Sequence, residues 1–154
     1  MANGESTTAK LTEVLKRART DQVESVLREN EDMLADVNYA FSDHVRAAMK
    51  LHGVNQKEVF QKADIPERYG YKLVSGQKST LKRDVLLRIF LAAGFTLDEV
   101  QRALKLAELP ELYPRFKRDA VLMIAVNRGL SLPEDADELL IKNGFAPLDR
   151  CGEE

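Results

Sequence analysis

The sequence predicts an all-α fold of seven to nine helices with no sheet, and three observations carry that expectation. Apolar residues recur at helical spacings through most of the 154 residues. The stretch Val54–Ser79 is punctuated as two short helices around a tight turn. A block of 35 positions then repeats in the second half of the chain, the period of a helical hairpin.

Taken in order, residues 1 to about 8 are expected to be disordered. From Thr8 to Arg28, Leu11, Val14, Leu15 and Ala18, then Val23, Val26 and Leu27, mark two helices broken near Thr20-Asp21, with Asp21 as the cap of the second. Met33, Leu34 and Val37 carry a weaker apolar signal into a connector. These segments either pack on the central helices or form a dimerisation arm.

The next helix is expected to be capped by Ser42 or Asp43, to carry Val45, Met49 and Leu51, and to run to His52 before Gly53. Asn55 is the expected N-cap of the following helix, which places Val59, Phe60 and Ala63 on one face. Ala63-Asp64-Ile65 forms the turn, and Pro66 stands where a missing N–H is tolerated at a helix start. That helix runs through Leu73 and Val74 and stops at Gly76, a residue suited to a left-handed C-terminal cap. A fourth helix of this group spans about Thr80 to Ala93, with Leu86, Leu87, Phe90 and Leu91, and closes at Gly94. Thr96 with Glu99 three residues on is a capping box for the fifth, which carries Leu97, Val100, Leu104 and Leu106 before Pro110.

Arg83-Asp84 recurs 35 positions later as Arg118-Asp119, Leu87 as Leu122, Gly94 as Gly129 and Thr96 as Ser131. Leu97, Glu99 and Leu104 recur as Leu132, Glu134 and Leu139. Two copies are too few for a solenoid, so the second hairpin is expected to stack on the first and extend the same core, bridged by Leu112, Tyr113 and Pro114. Salt bridges at the two Arg-Asp pairs are expected to pin the hairpins.

Two short helices with a tight turn, the second displaying long donors and acceptors, form the geometry of a helix that lies in a DNA major groove. Residues 42 to about 104 also resemble the Cro and phage-repressor type of helix-turn-helix domain (XRE-like). The resemblance rests on the apolar first helix, Gln56 in the opening of helix two, Ile65 at the turn, Leu73-x-x-Gly76-x-Lys78 closing helix three, and a helix four ending in Gly94. It implies a lambda-repressor-like bundle of five helices with the third in the major groove. It further implies that Gln56 contacts a phosphate and that Glu67, Arg68 and Lys72 face base edges. Arg and Lys suit guanine O6 and N7, and Glu accepts from cytosine N4. Tyr71 either meets a thymine methyl or a phosphate, or covers the interface with helix two. Gln77, Lys78 and Lys82 serve as backbone contacts, which position without specifying. Gly70 departs from the family pattern, which has an apolar core residue there, and so does the link from helix three to helix four, which lacks a proline. Either Tyr69 fills the space at Gly70 or another backbone approaches closely. The implied organisation is an N-terminal helical arm over 1–40, the helix-turn-helix domain over 41–109, and a C-terminal hairpin with a polar tail over 110–154.

Composition fits an ordinary water-soluble protein: 44% hydrophobic, 31% charged, 6% aromatic and no Trp. Lys plus Arg number 23 against 25 Asp plus Glu, which is awkward for a nucleic-acid binder. Phosphate contacts need only a local patch, however, and Lys78, Lys82, Arg83 and Arg88 face Asp84 alone between Gln77 and Arg88. Acidic residues gather instead at Glu29–Asp32 and Glu134–Glu138. No apolar run approaches a membrane span, MANGESTTAK lacks the regions of a signal peptide, and the one cysteine, Cys151, allows no internal disulfide. A cytoplasmic location is therefore expected. Ser42-Asp43-His44 holds triad residue types in mere adjacency, and His44 and His52 lack the Cys or carboxylate cluster that would complete a zinc set. Neither a cofactor, a metal nor a catalytic residue is expected. The expected function is a sequence-specific double-stranded-DNA-binding transcriptional regulator, acting as a homodimer. The alternative is a protein–protein adaptor that keeps the bundle and has lost DNA binding.

Overall fold

The computed structural model describes residues 7–34 and 38–151; of the segment expected to be disordered, Thr7 and Thr8 begin a helix and the rest lies outside the described residues. Val37 of the connector and the last three residues of the tail also lie outside them. Among the described residues there are nine α-helices and no strand, as the periodicity predicts. None of these helices is long and apolar enough to cross a membrane. The chain divides into two compact units, Met1–Val37 and Asn38–Glu154.

The first unit holds α1 (Thr7–Arg17), a 3-10 turn (Thr20–Gln22) and α2 (Val23–Glu29). The break falls where expected, but Asp21 does not cap α2. Its carboxylate is 3.2 Å from the Arg19 guanidinium, and Gln22 precedes the helix without a side-chain cap bond. Instead the Arg19 N–H donates to Gln22 Oε1 at 2.8 Å and shapes the 3-10 turn.

In the second unit α3 (Tyr39–Leu51) begins earlier than Ser42 or Asp43 would allow. Asn38 is the cap: its Oδ1 accepts the Phe41 N–H at 3.0 Å, and its Nδ2 donates to the Leu106 carbonyl at 2.8 Å. Ser42 is buried within the helix. Next come α4 (Gln56–Ala63), α5 (Glu67–Ser75), α6 (Arg83–Ala93) and α7 (Leu97–Leu106). Helix α6 starts at Arg83 and not near Thr80, because Thr80 Oγ1 accepts the Lys82 N–H at 3.0 Å in the loop before it. Helix α7 has the expected capping box, with Thr96 Oγ1 accepting from the Glu99 N–H at 3.2 Å and Glu99 Oε1 from the Thr96 N–H at 2.8 Å. The same Glu99 ties α7 to α3, its carboxylate 2.7 Å from His52 Nε2 and its carbonyl 2.9 Å from His44 Nε2.

Helix α6 is the centre. Every residue from Asp84 to Ala93 is buried, and α4, α7 and α9 all pack on it. Helices α8 (Lys117–Asn127) and α9 (Pro133–Lys142) make the second hairpin, and Leu122, Ala125, Val126, Ala136 and Leu140 join the same core. Its relation to the first hairpin is not a simple stack. α6 meets α9 and α7 meets α8, a reciprocal exchange like that across a twofold axis.

The two Arg-Asp pairs make the exchange explicit. Arg83 forks the carboxylate of Asp119 at 2.6 and 3.2 Å, and Arg118 forks that of Asp84 at 2.9 and 3.2 Å. Each arginine also gathers the chain that leaves its own hairpin. Arg83 donates to the carbonyls of Pro110 and Glu111, and Arg118 to those of Ala146 and Pro147. The aspartates close the circuit, Asp119 accepting the Tyr113 N–H at 2.9 Å and Asp84 the Asp149 N–H at 3.0 Å. The end expected to be a plain polar tail is thus an ordered strap, with Leu148 buried, its N–H on Asp137 at 2.8 Å, and Arg150 paired with Asp64.

Bonding to Asp84 holds the Arg118 guanidinium even further above its ordinary pKa. Removing it leaves Asp84 buried without a counter-charge. Arg118→Ala is expected to destabilise the protein by about 3 kcal/mol in urea unfolding, and the Asp84→Ala/Arg118→Ala double variant by less than the sum of the two singles. Partial burial pushes the Glu99 carboxyl up, but the Thr96 N–H and the His52 ring outweigh it and hold it below its usual 4.5. That stabilisation is complete above the usual value and is lost as pH falls through the lowered one. Glu99→Gln keeps a capping-box acceptor but gives up the charge, so it should flatten the fall in melting temperature below pH 4.5.

Candidate nucleic-acid interface

The turn between α4 and α5 is fixed by backbone bonds that leave little freedom. Asn55 is extended and its Oδ1 accepts the Glu58 N–H at 2.9 Å, starting α4 as expected. At the other end Asp64 is left-handed (φ 58°), and the Ile65 N–H reaches back to the Phe60 carbonyl at 3.0 Å. Pro66 precedes α5, and Gly76 (φ 84°) ends it. A Cβ on Gly76 would lie 3.1 Å from the Asn38 backbone nitrogen, so two constraints select glycine there. Beyond it the Lys78 N–H donates to the Lys72 carbonyl at 3.1 Å and closes the helix end.

Helix α5 has two faces of opposite character. Tyr69, Gly70, Leu73 and Val74 are core, while Glu67, Arg68 and Tyr71 are exposed and Lys72 is half-buried. Gln77, Lys78 and Lys82 are exposed in the loop from α5 to α6. Among the described residues Arg68, Lys72, Lys78 and Lys82 take part in no ion pair, whereas Arg83, Arg88, Arg118 and Arg150 are all matched to carboxylates. The Lys78 ammonium lies 5.6 Å from the centre of the Tyr69 ring, within cation–π range.

The nearest approach to Gly70 from another helix is a side chain, not a backbone. The ring of Phe60 lies on it: a Cβ at Gly70 would stand 2.6 to 2.8 Å from three of its atoms. Apolar volume from α4 thus lies directly against Gly70. Tyr71 meets the same ring edge-on, with centroids 5.1 Å apart, and thus both covers the α4 interface and remains exposed.

Gln56 opens α4 and is half-buried, with its Oε1 buried and unbonded. It shares an open groove of about 770 Å³ with Tyr71, and Arg46, Lys50 and Lys57 also line it. Among the described residues the Glu67 and Arg68 side chains take part in no hydrogen bond or ion pair. Arg46 and Lys50 belong to no motif in the sequence. They are four residues apart on α3, so helical periodicity alone places them on one face. Among the described residues no three His, Cys, Asp or Glu side chains gather as a metal site.

No family model, curated protein or solved structure matches this chain.

The Phe60 ring is fully buried, so a Cβ at Gly70 forces it to shift within the core. Gly70→Ala is expected to cost about 2 kcal/mol despite its better helix propensity, and Phe60→Leu introduced with it should recover part of the lost melting temperature.

Proposed function

We propose that this chain is a sequence-specific double-stranded-DNA-binding regulator of transcription without enzymatic activity, acting in the cytoplasm as a homodimer. In this reading α3 to α7 form a lambda-repressor-like helix-turn-helix bundle of five helices, α4 and α5 are the motif, and α5 enters the major groove. The observation that carries it is the two-faced α5. Its core face is buried, and its outer face offers Arg68 and Tyr71 to solvent, with the half-buried Lys72, beside Lys78 and Lys82; among the described residues none of these cations forms an ion pair. Long donors on a rigid helix are what base edges and phosphates require. Glu67 adds an acceptor suited to cytosine N4 and, in the first turn, favours the helix dipole.

A second reading, a protein–protein adaptor that no longer binds DNA, draws on exposed apolar side chains in the second hairpin, Phe116, Ile124 and Ile141. Selection from random-sequence duplexes at two salt concentrations separates the two. The regulator enriches a palindromic motif, and Arg68→Ala/Lys72→Ala loses that enrichment, with affinity reduced about a hundredfold. Weak salt-sensitive binding without enrichment reduces the chain to nonspecific attraction. No binding at low salt removes the regulator and leaves the adaptor.

A further inference from the structure

We propose that the outer face of the second hairpin, formed by α8 and α9, is the surface through which two copies of this chain pair; this rests on the homodimer of the proposed reading. Helix α8 is apolar on two sides. Leu122, Ala125 and Val126 are buried in the core, while Phe116, Ala120 and Ile124 follow at four-residue spacing along the opposite side. A helix on the surface of a globular protein ordinarily keeps that outer stripe polar. Helix α9 buries Pro133, Ala136 and Leu140 and leaves Ile141 outside, in line with Glu134 and Glu138. Phe116, Ile124 and Ile141 are each more than half exposed. Since α8 packs on α7 and α9 on α6, both outer stripes turn away from the first hairpin on the same side.

The charges around this face identify its occupant. Lys117 and Arg128 stand at the two ends of the α8 stripe, and Glu134, Asp135 and Glu138 along α9. All five are exposed, and none forms an ion pair among the described residues. One helix of the hairpin is therefore cationic and the other anionic, around a shared apolar centre. A face that carries both halves of a complementary pair matches itself across a twofold axis: α8 of each copy lies on α9 of the other, and every contact occurs twice. Pairing α8 with α8 instead would bring Lys117 and Arg128 against their own kind, so electrostatics selects the crossed arrangement. With the axis parallel to the helices, the four make a bundle in which all neighbours are antiparallel. A nucleic acid or an anionic lipid surface carries one sign of charge and is repelled by α9. The adaptor reading draws on the same apolar side chains but leaves this internal complementarity without a role. Every residue of the face lies outside α3 to α7, so pairing there uses none of the exposed side chains of α5.

The test is sedimentation equilibrium of the full chain over a concentration series, without DNA. The wild type is expected to be a dimer that dissociates on dilution. Ile124→Glu/Ile141→Glu, both at exposed positions, should raise the dimer dissociation constant about a hundredfold while circular dichroism and the urea midpoint of the monomer stay as they are. Charge reversal supplies a readout that misfolding cannot imitate. Lys117→Glu/Arg128→Glu makes both helices anionic, and Glu134→Lys/Glu138→Lys turns α9 cationic like α8. Each variant alone should be monomeric, and an equimolar mixture of the two should recover the dimer as a heterodimer. A wild type that is monomeric throughout overturns this face and the homodimer together. A dimer that Ile124→Glu/Ile141→Glu leaves intact, or reversed variants that fail to pair on mixing, overturns the face alone. The duplex selection is a separate readout: a chain that dimerises through this face and binds no DNA loses the α5 reading and keeps the face.

Discussion

The reciprocal pairing of Arg83 with Asp119 and Arg118 with Asp84 is the constraint on which the second unit depends. Asp84 and Asp119 are buried, and a buried carboxylate is tolerated only when a cation and hydrogen bonds replace its water. Here each receives a bidentate guanidinium and a backbone N–H. Further guanidinium N–H groups donate to the carbonyls of the chain leaving each hairpin. Such a circuit closes in one relative placement of α6 and α8, so it specifies how the two hairpins meet as well as holding them. Both aspartates also sit in the first turn of a helix, where the macrodipole favours negative charge.

From α6 the constraint passes to α4 and α5. Arg88, 1% exposed in the middle of α6, donates from Nε to the carbonyl of Ala63 at 2.8 Å, satisfying the last residue of α4. Its Nη1 stands 3.6 Å from Asp137 on α9, close enough for charge balance and too far for a hydrogen bond. The strap that Asp84 and Asp137 hold then brings Arg150 to Asp64, the left-handed residue of the turn. Phe60 lying on Gly70 fixes how closely α5 approaches α4. The exposed face of α5 is therefore set from behind by groups it never touches.

Helical content, the Asn55 cap, the Thr96–Glu99 box and the stops at Gly76 and Gly94 were legible because each is a local signal, decided within a few residues. The start of α3 was misjudged because Ser42 is as good a cap by type as Asn38. What separates them is Asn38 Nδ2 bonding Leu106, 68 positions away, which no local pattern encodes. Likewise the repeat announced its period but not its symmetry: an Arg-Asp dipeptide recurring at a fixed offset reads the same whether the copies stack by translation or face each other. Gly70 raised a question that only Phe60, on a different helix, answers. Of the candidate site, the outer residues of α5 followed from periodicity. Arg46, Lys50 and Lys57 did not stand out, because exposed cations on a helix are ordinary until a groove collects them.

The acidic balance of the whole chain then loses its force against the proposed DNA face. Charge acts at a distance only within a screening length, about 8 Å at physiological ionic strength. What a duplex meets is the local field, not the formal net charge of −2. Asp84, Asp119 and Asp137 lie beside guanidinium groups away from solvent, the exposed Asp64 is paired with Arg150, and Glu99 is bonded to Thr96 and His52. The clusters at Glu29–Asp32 and Glu134–Glu138 belong to other elements than α3, α4 and α5. Around α5 and the groove, the cations that form no ion pair among the described residues outnumber Glu58 and Glu67. A chain with this distribution has little general attraction for nucleic acid, so in the proposed reading its affinity for DNA would rest on a few contacts made at short range. The same distribution that makes the composition look unpromising thereby favours selective over indiscriminate binding.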